Sequence, residues 1–122
     1  MFELTINNTV YQFNFGIGFV RKVNKEVQKP IDGIPGVKED VGVAYKIALI
    51  QGGDVLALID VLDIANEGKD PRITRKMLEE YVEDPDTDID KLFSDVLSFF
   101  KRANATKRVA LQMEAAMQML ED

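Results

Sequence analysis

The chain has 122 residues, and its 15 Lys and Arg stand against 21 Asp and Glu, which gives a formal net charge of −6. Because it contains neither Cys nor His, the sequence excludes disulfides, thiolate nucleophiles, zinc sites with Cys or His ligands, and Ser-His-Asp catalysis. Carboxylate chemistry is the enzymatic class that remains. With 46% hydrophobic and 30% charged residues, the composition predicts one globular domain over residues 1–122.

The N-terminal residues, MFELTINN, lack the basic and apolar regions of a secretory signal. Charged side chains interrupt the most apolar stretch, residues 41–65, so a membrane-spanning helix is not expected there. We therefore expect a cytoplasmic protein with no membrane partner.

Residues 2–15 are predicted to form a β-hairpin. FELTI and TVYQF flank Asn7-Asn8, and Asn tolerates the positive φ that a two-residue turn requires. This turn sets a register that places one mostly apolar set of pairs on a single face: Phe2 with Phe13, Leu4 with Tyr11, and Ile6 with Thr9. Since a two-stranded hairpin is marginal alone, that face must pack on helices.

After Phe15 the apolar period changes from two residues to about 3.6, which predicts a helix over residues 16–27. Two Pro and two Gly residues then lie between positions 30 and 36, and this density of helix breakers predicts a loop over residues 28–39. Residues 40–66 are predicted to form two helices, the first beginning at Asp40. Gly52-Gly53 joins them, and Asp54 is the N-cap of the second.

Pro71 and Thr74 indicate the start of a short helix over residues 74–83. Asp88 is the predicted N-cap of an amphipathic segment over residues 88–120. Asn104 and Thr106 interrupt that segment, so it is one bent helix or a pair, and we favour a break with either residue as a cap. The fold class is therefore α+β, mainly α, with an N-terminal β-hairpin packed on a bundle of about five to six helices.

Two motifs have an enzymatic interpretation and a simpler structural one. Gly16 and Gly18 follow a strand and open a helix, but the rest of a dinucleotide-binding fingerprint is missing, so we expect a tight turn. Asp86, Asp88 and Asp90 match the first ligand positions of an EF-hand loop, whereas its later glycine and glutamate positions hold other residues. We expect these acids to cap a helix, and we expect no metal, cofactor or catalytic residue. A carboxylate metalloenzyme is the alternative, and it would bind divalent cations.

The charge is unevenly distributed along the chain. Residues 79–95 contain eight acidic side chains and one Lys, and a basic cluster follows them: Lys101, Arg102, Lys107 and Arg108. Four basic residues beside an acidic segment are a weak indication of nucleic-acid binding, so we do not expect that partner. The polarity favours a protein partner instead.

Three Met residues lie in the last ten positions, and Met on an amphipathic helix packs well against changing partners. The alternative is that Met113 and Met117 are ordinary core residues. Together with the aromatic and basic residues before them, these Met residues form the predicted partner-binding set: Phe99, Phe100, Lys101, Arg102, Lys107, Arg108, Met113, Met117 and Met119.

Four segments covering nearly the whole chain resemble the tail assembly chaperones of long-tailed bacteriophages and prophages, particularly those of Gram-positive hosts. These segments are TINNTVYQFNFGIGFVRKVN, GGDVLALIDVLDIAN, PRITRKMLEEYVED and LFSDVLSFFKRANATKRVALQME. The most specific parts are FGIGF, residues 15–19, and KRANATK, residues 101–107.

The resemblance implies a chaperone of tail morphogenesis with no enzymatic activity. It implies that the chain binds the tape measure protein and tail tube subunits in the host cytoplasm and is absent from the finished tail. It also implies the short form of a pair whose longer form arises by ribosomal frameshifting, and self-association into a ring or spiral. The alternative from another class is a small acidic regulatory protein that mimics DNA through residues 79–95 and binds a nucleic-acid enzyme.

Overall fold

The fold is α+β and mainly α, as expected, with six helices and two short β-hairpins in the part of the chain that the computed structural model describes, residues 1–121. The elements in chain order are β1 (Phe2–Ile6), β2 (Thr9–Phe13), α1 (Ile17–Asn24), β3 (Gln28–Pro30), β4 (Lys38–Asp40), α2 (Gly42–Gln51), α3 (Val55–Asn66), α4 (Arg75–Glu83), α5 (Ile89–Arg102) and α6 (Lys107–Glu121). No helix among these residues is both long and apolar enough to cross a membrane.

The first hairpin has the register that the sequence predicts, with Phe2 opposite Phe13 and Leu4 opposite Tyr11. Asn7 and Asn8 have φ values of 52° and 64°, the left-handed conformation of a two-residue turn between twisted strands. The apolar face is buried against the helices, whereas Val10 on the other face is exposed.

The segment between α1 and α2 differs from the prediction. Helix α1 ends at Asn24 rather than at residue 27, and the predicted loop over residues 28–39 begins and ends in strands: β3 pairs with β4, which extends to Asp40. Gly33 and Gly36 take positive φ and form the connection between these strands, so the helix breakers build a turn. Since Asp40 is in β4, helix α2 begins at Gly42.

Helices α1 and α2 approach each other closely at Gly42. A Cβ atom on Gly42 would lie 1.7 Å from the carbonyl oxygen of Val23, a distance that no side chain can adopt. Next to this contact, the Asn24 side chain accepts a hydrogen bond of 3.0 Å from the backbone N–H of Val43 in the first turn of α2. The close approach therefore fixes where α1 ends and α2 begins.

The predicted N-caps Asp54 and Asp88 are confirmed, and Thr74, the predicted helix start, is the N-cap of α4. All three side chains accept hydrogen bonds from backbone N–H groups in the first turns of α3, α4 and α5. Helices α5 and α6 are separate, joined by residues 103–106. Thr106 is fully buried, and its hydroxyl donates to the carbonyl of Phe100 at 2.7 Å. Its side chain thus satisfies an unpaired carbonyl at the end of α5.

An aromatic cluster packs the first hairpin against α5. The ring of Phe15 lies 4.8 Å from that of Phe100 and 5.1 Å from that of Phe19, and Phe2 lies 5.6 Å from Phe99, all measured between ring centroids. Such offset and edge-to-face pairs contribute about 0.5–1.5 kcal/mol each beyond the area they bury. The N-terminal hairpin and the C-terminal end of α5 are therefore one packed unit.

The side chain of Asn66, at the end of α3, is fully buried and links three segments. Its Nδ2 donates to the carbonyl of Gln12 in β2 at 2.8 Å, and its Oδ1 accepts from the backbone N–H of Ile73 at 2.7 Å. Arg72 donates to the same oxygen at 3.1 Å. The hydrogen bonds of this buried side chain therefore hold the first hairpin, the end of α3 and the segment before α4 in fixed positions relative to one another.

We expect Asn66→Ala to lower the free energy of unfolding by about 2–4 kcal/mol, because it leaves the buried N–H of Ile73 without a partner and removes the bond to the Gln12 carbonyl. Urea denaturation followed by circular dichroism measures this loss. Asn104→Ala is the control, since Asn104 is exposed. Equal stabilities for the two variants would contradict the linking role of Asn66.

We expect Gly42→Ala to destabilise the fold by at least about 3 kcal/mol or to prevent folding, since its methyl group would overlap the Val23 carbonyl. Gly18→Ala is the matched control, because Gly18 lies in α1 with open space where a Cβ would stand. That substitution should be neutral or stabilise by up to about 1 kcal/mol through helix propensity. Thermal melting of both variants tests the pair, and a soluble Gly42→Ala protein with an unchanged melting temperature would refute the close approach.

Candidate partner-binding surfaces

A groove of about 760 Å³ runs between α2, α5 and α6. We call it the α2–α5–α6 groove, and its lining residues are Ile47, Gln51, Ser94, Leu97, Ser98, Lys101, Ala110, Glu114, Met117 and Gln118. Ser94 and Ser98 lie one turn apart on α5 and so share a helix face. Because the side chains of Ser94, Ser98 and Ala110 are short, they do not fill the space between the three helices, and the groove stays open.

An ion pair bridges two helices that form the groove. Lys101 Nζ of α5 lies 2.6 Å from Glu114 Oε2 of α6, and both side chains are about 40% exposed (38% and 41%). An exposed pair of this kind contributes about 0–1 kcal/mol to stability. Its larger effect is on the charge of the groove. The positive charge of Lys101 is compensated by Glu114, so the sides of the groove carry no net charge from this pair.

A second recess, of about 410 Å³, lies where the β2–α1 connection meets the α5–α6 connection. We call it the aromatic cleft, and its lining residues are Asn14, Phe15, Gly16, Ile17, Phe99, Ala103, Asn104 and Ala105. Ile17 is 63% exposed at its edge, and the guanidinium carbon of Arg102 lies 5.2 Å from the centroid of the Phe99 ring. FGIGF and KRANATK, although far apart in the sequence, thus line one cleft.

The residues predicted to bind a partner do not lie on one surface. Lys101 and Met117 line the α2–α5–α6 groove, whereas Phe99 lines the aromatic cleft with Arg102 beside it. Lys107 and Arg108 are exposed in the first turn of α6, Met113 is half-buried against the core, and Met119 is 77% exposed.

The prediction for Phe100 requires correction. Its side chain is 1% exposed and contacts Phe15 and Phe19, so it belongs to the core and cannot contact a partner while the chain is folded. Leu92, Val96 and Phe100 are the buried residues of α5 and follow one another at intervals of four, so the helical period places Phe100 on the core face. Phe99 is half-buried beside it and contacts the rings of Phe2 and Phe15.

The acidic residues before α5 have structural roles. Asp88 caps α5 by accepting from the N–H of Lys91 at 3.1 Å, and Asp84 accepts from the N–H of Asp86 at 2.9 Å. Among residues 1–121 no group of three or more acidic side chains is placed to hold a metal ion. Similarly, Gly16 precedes α1 directly, as expected of a tight turn between strand and helix.

The ionisable groups with shifted pKa values lie outside both recesses. Burial alone would raise the pKa of Asp60, but hydrogen bonds from Lys46 and Arg75 outweigh it and lower the pKa below 3.8. The same contact with Asp60 raises the pKa of Arg75. Burial raises the pKa of Tyr81, and a hydrogen bond to Asp95 raises that of Lys91. These shifts follow from ion pairs and packing that stabilise the fold.

Comparison with known families identifies the chain. The family model described as Phage tail assembly chaperone protein, TAC, matches residues 3–114. The chain belongs to this family. No curated protein and no solved structure matches it. The matched residues include both segments that line the aromatic cleft and most of those that line the α2–α5–α6 groove, whereas Met117 and Met119 lie beyond them. Family membership favours the chaperone over the acidic regulatory protein.

Sequence reasoning missed several residues that shape the surfaces of this chaperone. Ser94, Ser98 and Ala110 create the groove by being short, and no motif marks them. The groove could have been predicted only from knowing that the face of α5 with Ser94 and Ser98 lies next to the face of α6 with Ala110. The FGIGF motif likewise does not reveal that the side chain of Ile17 is exposed at the edge of the aromatic cleft.

The Asp60 contacts predict a pH dependence of stability. Because its pKa is lower in the folded chain than in the unfolded one, its contribution is fully present above about pH 4 and is lost as the pH falls through the folded value. Asp60→Asn should lower stability at neutral pH by about 1–3 kcal/mol, since two charged hydrogen bonds are weakened. Urea unfolding measured between pH 2.5 and 7 should show that the free energy of unfolding depends less on pH in this variant than in the wild type. The same dependence on pH in both proteins would mean that Asp60 does not contribute to it.

Proposed function

We propose that this chaperone binds the tape measure protein and tail tube subunits during tail morphogenesis in the host cytoplasm, and that it leaves before the tail is finished. The observation that carries the proposal is the α2–α5–α6 groove. Its base is apolar, short side chains leave it open, and Met117 lies at its edge. An amphipathic helix binds such a groove through its apolar face.

The groove suits a chaperone because its contacts are adaptable. Met117 is unbranched and flexible, so it can pack against apolar side chains of different shapes. Lys101 and Glu114 are already paired with each other, so they place no strong charge requirement on the client. A groove of this kind binds many helical segments of a long client moderately well. Moderate contacts also permit release when tube subunits polymerise.

Several copies acting together would strengthen such moderate binding. We propose that the chain acts as a multimer on the tape measure protein, together with a longer, frameshifted form of itself. When one copy is bound, a linked copy meets the client at high effective concentration, so the total affinity exceeds that of a single groove. A slippery run in the coding DNA before the stop codon, followed by an extension frame, is the observation that tests the longer form.

The client experiment compares two substitutions on α6. Met117→Asp places a charge in the groove, whereas Leu111→Asp places the same charge at an exposed position outside it. We expect Met117→Asp to weaken binding to the purified tape measure protein at least tenfold, about 1.4 kcal/mol, and Leu111→Asp to leave it unchanged. Fluorescence anisotropy or calorimetry with the co-expressed client measures both.

Ser98→Trp gives an independent test without a new charge, because a large side chain at this position would fill the groove. It should reduce client binding to a similar extent while the thermal melt stays cooperative. Equal affinity for wild type and both groove variants would show that the client binds elsewhere. Failure of the wild-type chain to bind the tape measure protein at all would overturn the proposed function.

A further inference from the structure

The two segments of the chain that meet at the aromatic cleft contain basic residues and no acidic ones. Residues 4–25 and residues 96–113 together hold seven Lys and Arg and no Asp or Glu, although the chain as a whole has 21 acidic residues against 15 basic ones. The fold therefore collects positive charge around an apolar recess, in a protein whose net charge is negative.

Two of these basic residues are attached directly to residues that line the cleft. The guanidinium carbon of Arg102 lies 5.2 Å from the centroid of the Phe99 ring. The backbone N–H of Lys107 donates to the carbonyl of Ala103 at 2.8 Å. Both basic side chains are exposed, so their charges face solvent beside the cleft.

A third basic residue extends the positive charge along α1. Arg21 is exposed and follows Ile17 by four positions, so it lies one turn further along the same face of the helix. Among residues 1–120, none of the ion pairs involves Arg21, Arg102 or Lys107. These charges are therefore available to a partner.

The start of α1 adds to the positive potential at the edge of the cleft. Its N-cap, Gly16, makes no side-chain hydrogen bond to the first turn, and that turn contains no acidic residue. The N–H groups at a helix N-terminus carry partial positive charge and favour a carboxylate. Since Gly16 and Ile17 both line the cleft, a carboxylate held at its edge would meet this dipole as well as the basic side chains.

The interior of the cleft favours an apolar group rather than a nucleic acid. None of its lining residues is charged, and Ile17 exposes 63% of its surface there. A phosphate backbone would pair with the basic residues and leave this apolar surface in water. Nor is the Phe99 ring free for base stacking, because the Arg102 guanidinium lies over it and Phe2 packs against it at a centroid distance of 5.6 Å.

The acidic segment of this chain itself does not have the required exposed surface. All of the large apolar side chains within residues 79–95 are buried or half-buried: Tyr81, Val82, Ile89, Leu92 and Phe93. The same segment of a second copy would bring carboxylates to the cleft without an apolar side chain to enter it. This favours an occupant from a different protein.

We propose that the aromatic cleft docks an acidic segment of another protein. One large apolar side chain of that segment enters between Ile17 and Phe99, and the carboxylates beside it pair with Arg21, Arg102 and Lys107. The charges speed the encounter and reject basic segments, while the apolar side chain fixes the position. This surface is separate from the α2–α5–α6 groove, so the proposal does not rest on the client of that groove.

The test titrates the full, isotope-labelled chain with four probes and follows its amide NMR signals. The parent probe is a peptide in which Leu-Phe is flanked on both sides by Asp and Glu. A second peptide replaces Leu-Phe with Ser-Ser, and a third replaces the acidic residues with Asn and Gln. The fourth probe is an oligothymidylate, which carries negative charge without an apolar side chain.

We expect the parent peptide to shift the amides of residues 15–18 and 102–108 and to bind at least about tenfold more tightly than each other probe, because it alone carries both the apolar side chain and the charges. Added salt should weaken its binding, since the basic side chains are exposed.

Three variants then locate the site, with a thermal melt of each to confirm folding. Ile17→Asp should weaken binding of the parent peptide at least about tenfold. Leu56→Asp should leave it unchanged and is the matched control, because Leu56 is 64% exposed in the first turn of α3 and Ile17 is 63% exposed in the first turn of α1. Arg102→Glu should weaken the parent peptide and bind a version with Lys in place of its acids, a gain that a purely structural role does not give.

The proposal is overturned if millimolar parent peptide shifts no amide of the cleft, if the Ser-Ser peptide or the oligothymidylate binds as tightly as the parent, or if Leu56→Asp causes the same loss as Ile17→Asp. It is also overturned if concentrating the chain alone shifts the same amides, since a second copy would then occupy the cleft.

These outcomes are separate from those of the client experiment. Met117→Asp lies in the groove and should leave binding of the parent peptide unchanged. A chain that binds the tape measure protein and no acidic peptide would remove the cleft proposal and leave the proposed function intact. A chain that binds the peptide and no client would do the reverse.

Discussion

The packing of Phe15 against the C-terminal end of α5 is the contact on which the functional surfaces depend. Phe15 follows the first hairpin directly and contacts Phe2, Phe19, Phe99 and Phe100. It therefore fixes the side of α5 that faces the core and the side that remains free. Once Phe100 is buried, Ser94 and Ser98 lie toward α2 and α6, and Phe99 lines the aromatic cleft. A hairpin in another position would change both recesses.

The elements that sequence predicts well are those that local chemistry determines. The Asn7-Asn8 turn fixes the hairpin register, and Asp54, Thr74 and Asp88 mark helix starts because their side chains cap the nearest free N–H groups. What sequence does not predict depends on contacts between distant segments. Gly42 is required by the Val23 carbonyl of another helix, and Asn66 is polar because of a strand more than fifty residues earlier.

The same distinction applies to the predicted partner-binding residues. Most of them are at least partly exposed, near the ends of α5 and along α6. Their division into two recesses and the burial of Phe100 follow from the way in which α5 is held between the hairpin and α6. The predicted loop over residues 28–39 shows the opposite error: its Pro and Gly residues indicated a loop, whereas Pro30 is the last residue of strand β3 and Gly33, Pro35 and Gly36 lie in the connection of a second, exposed hairpin.

The sparse burial of α6 has a consequence for how order is distributed along the chain. Ala110 is buried in its first half, but after it only half-buried or exposed side chains follow among those described. Local opening of a segment costs little when few apolar contacts hold it, so the amides of its last turns should exchange with solvent well before those of α3. The last turns of α6 are therefore the part of the described chain whose order a contact can change most easily, while the hairpin and α3 stay constant.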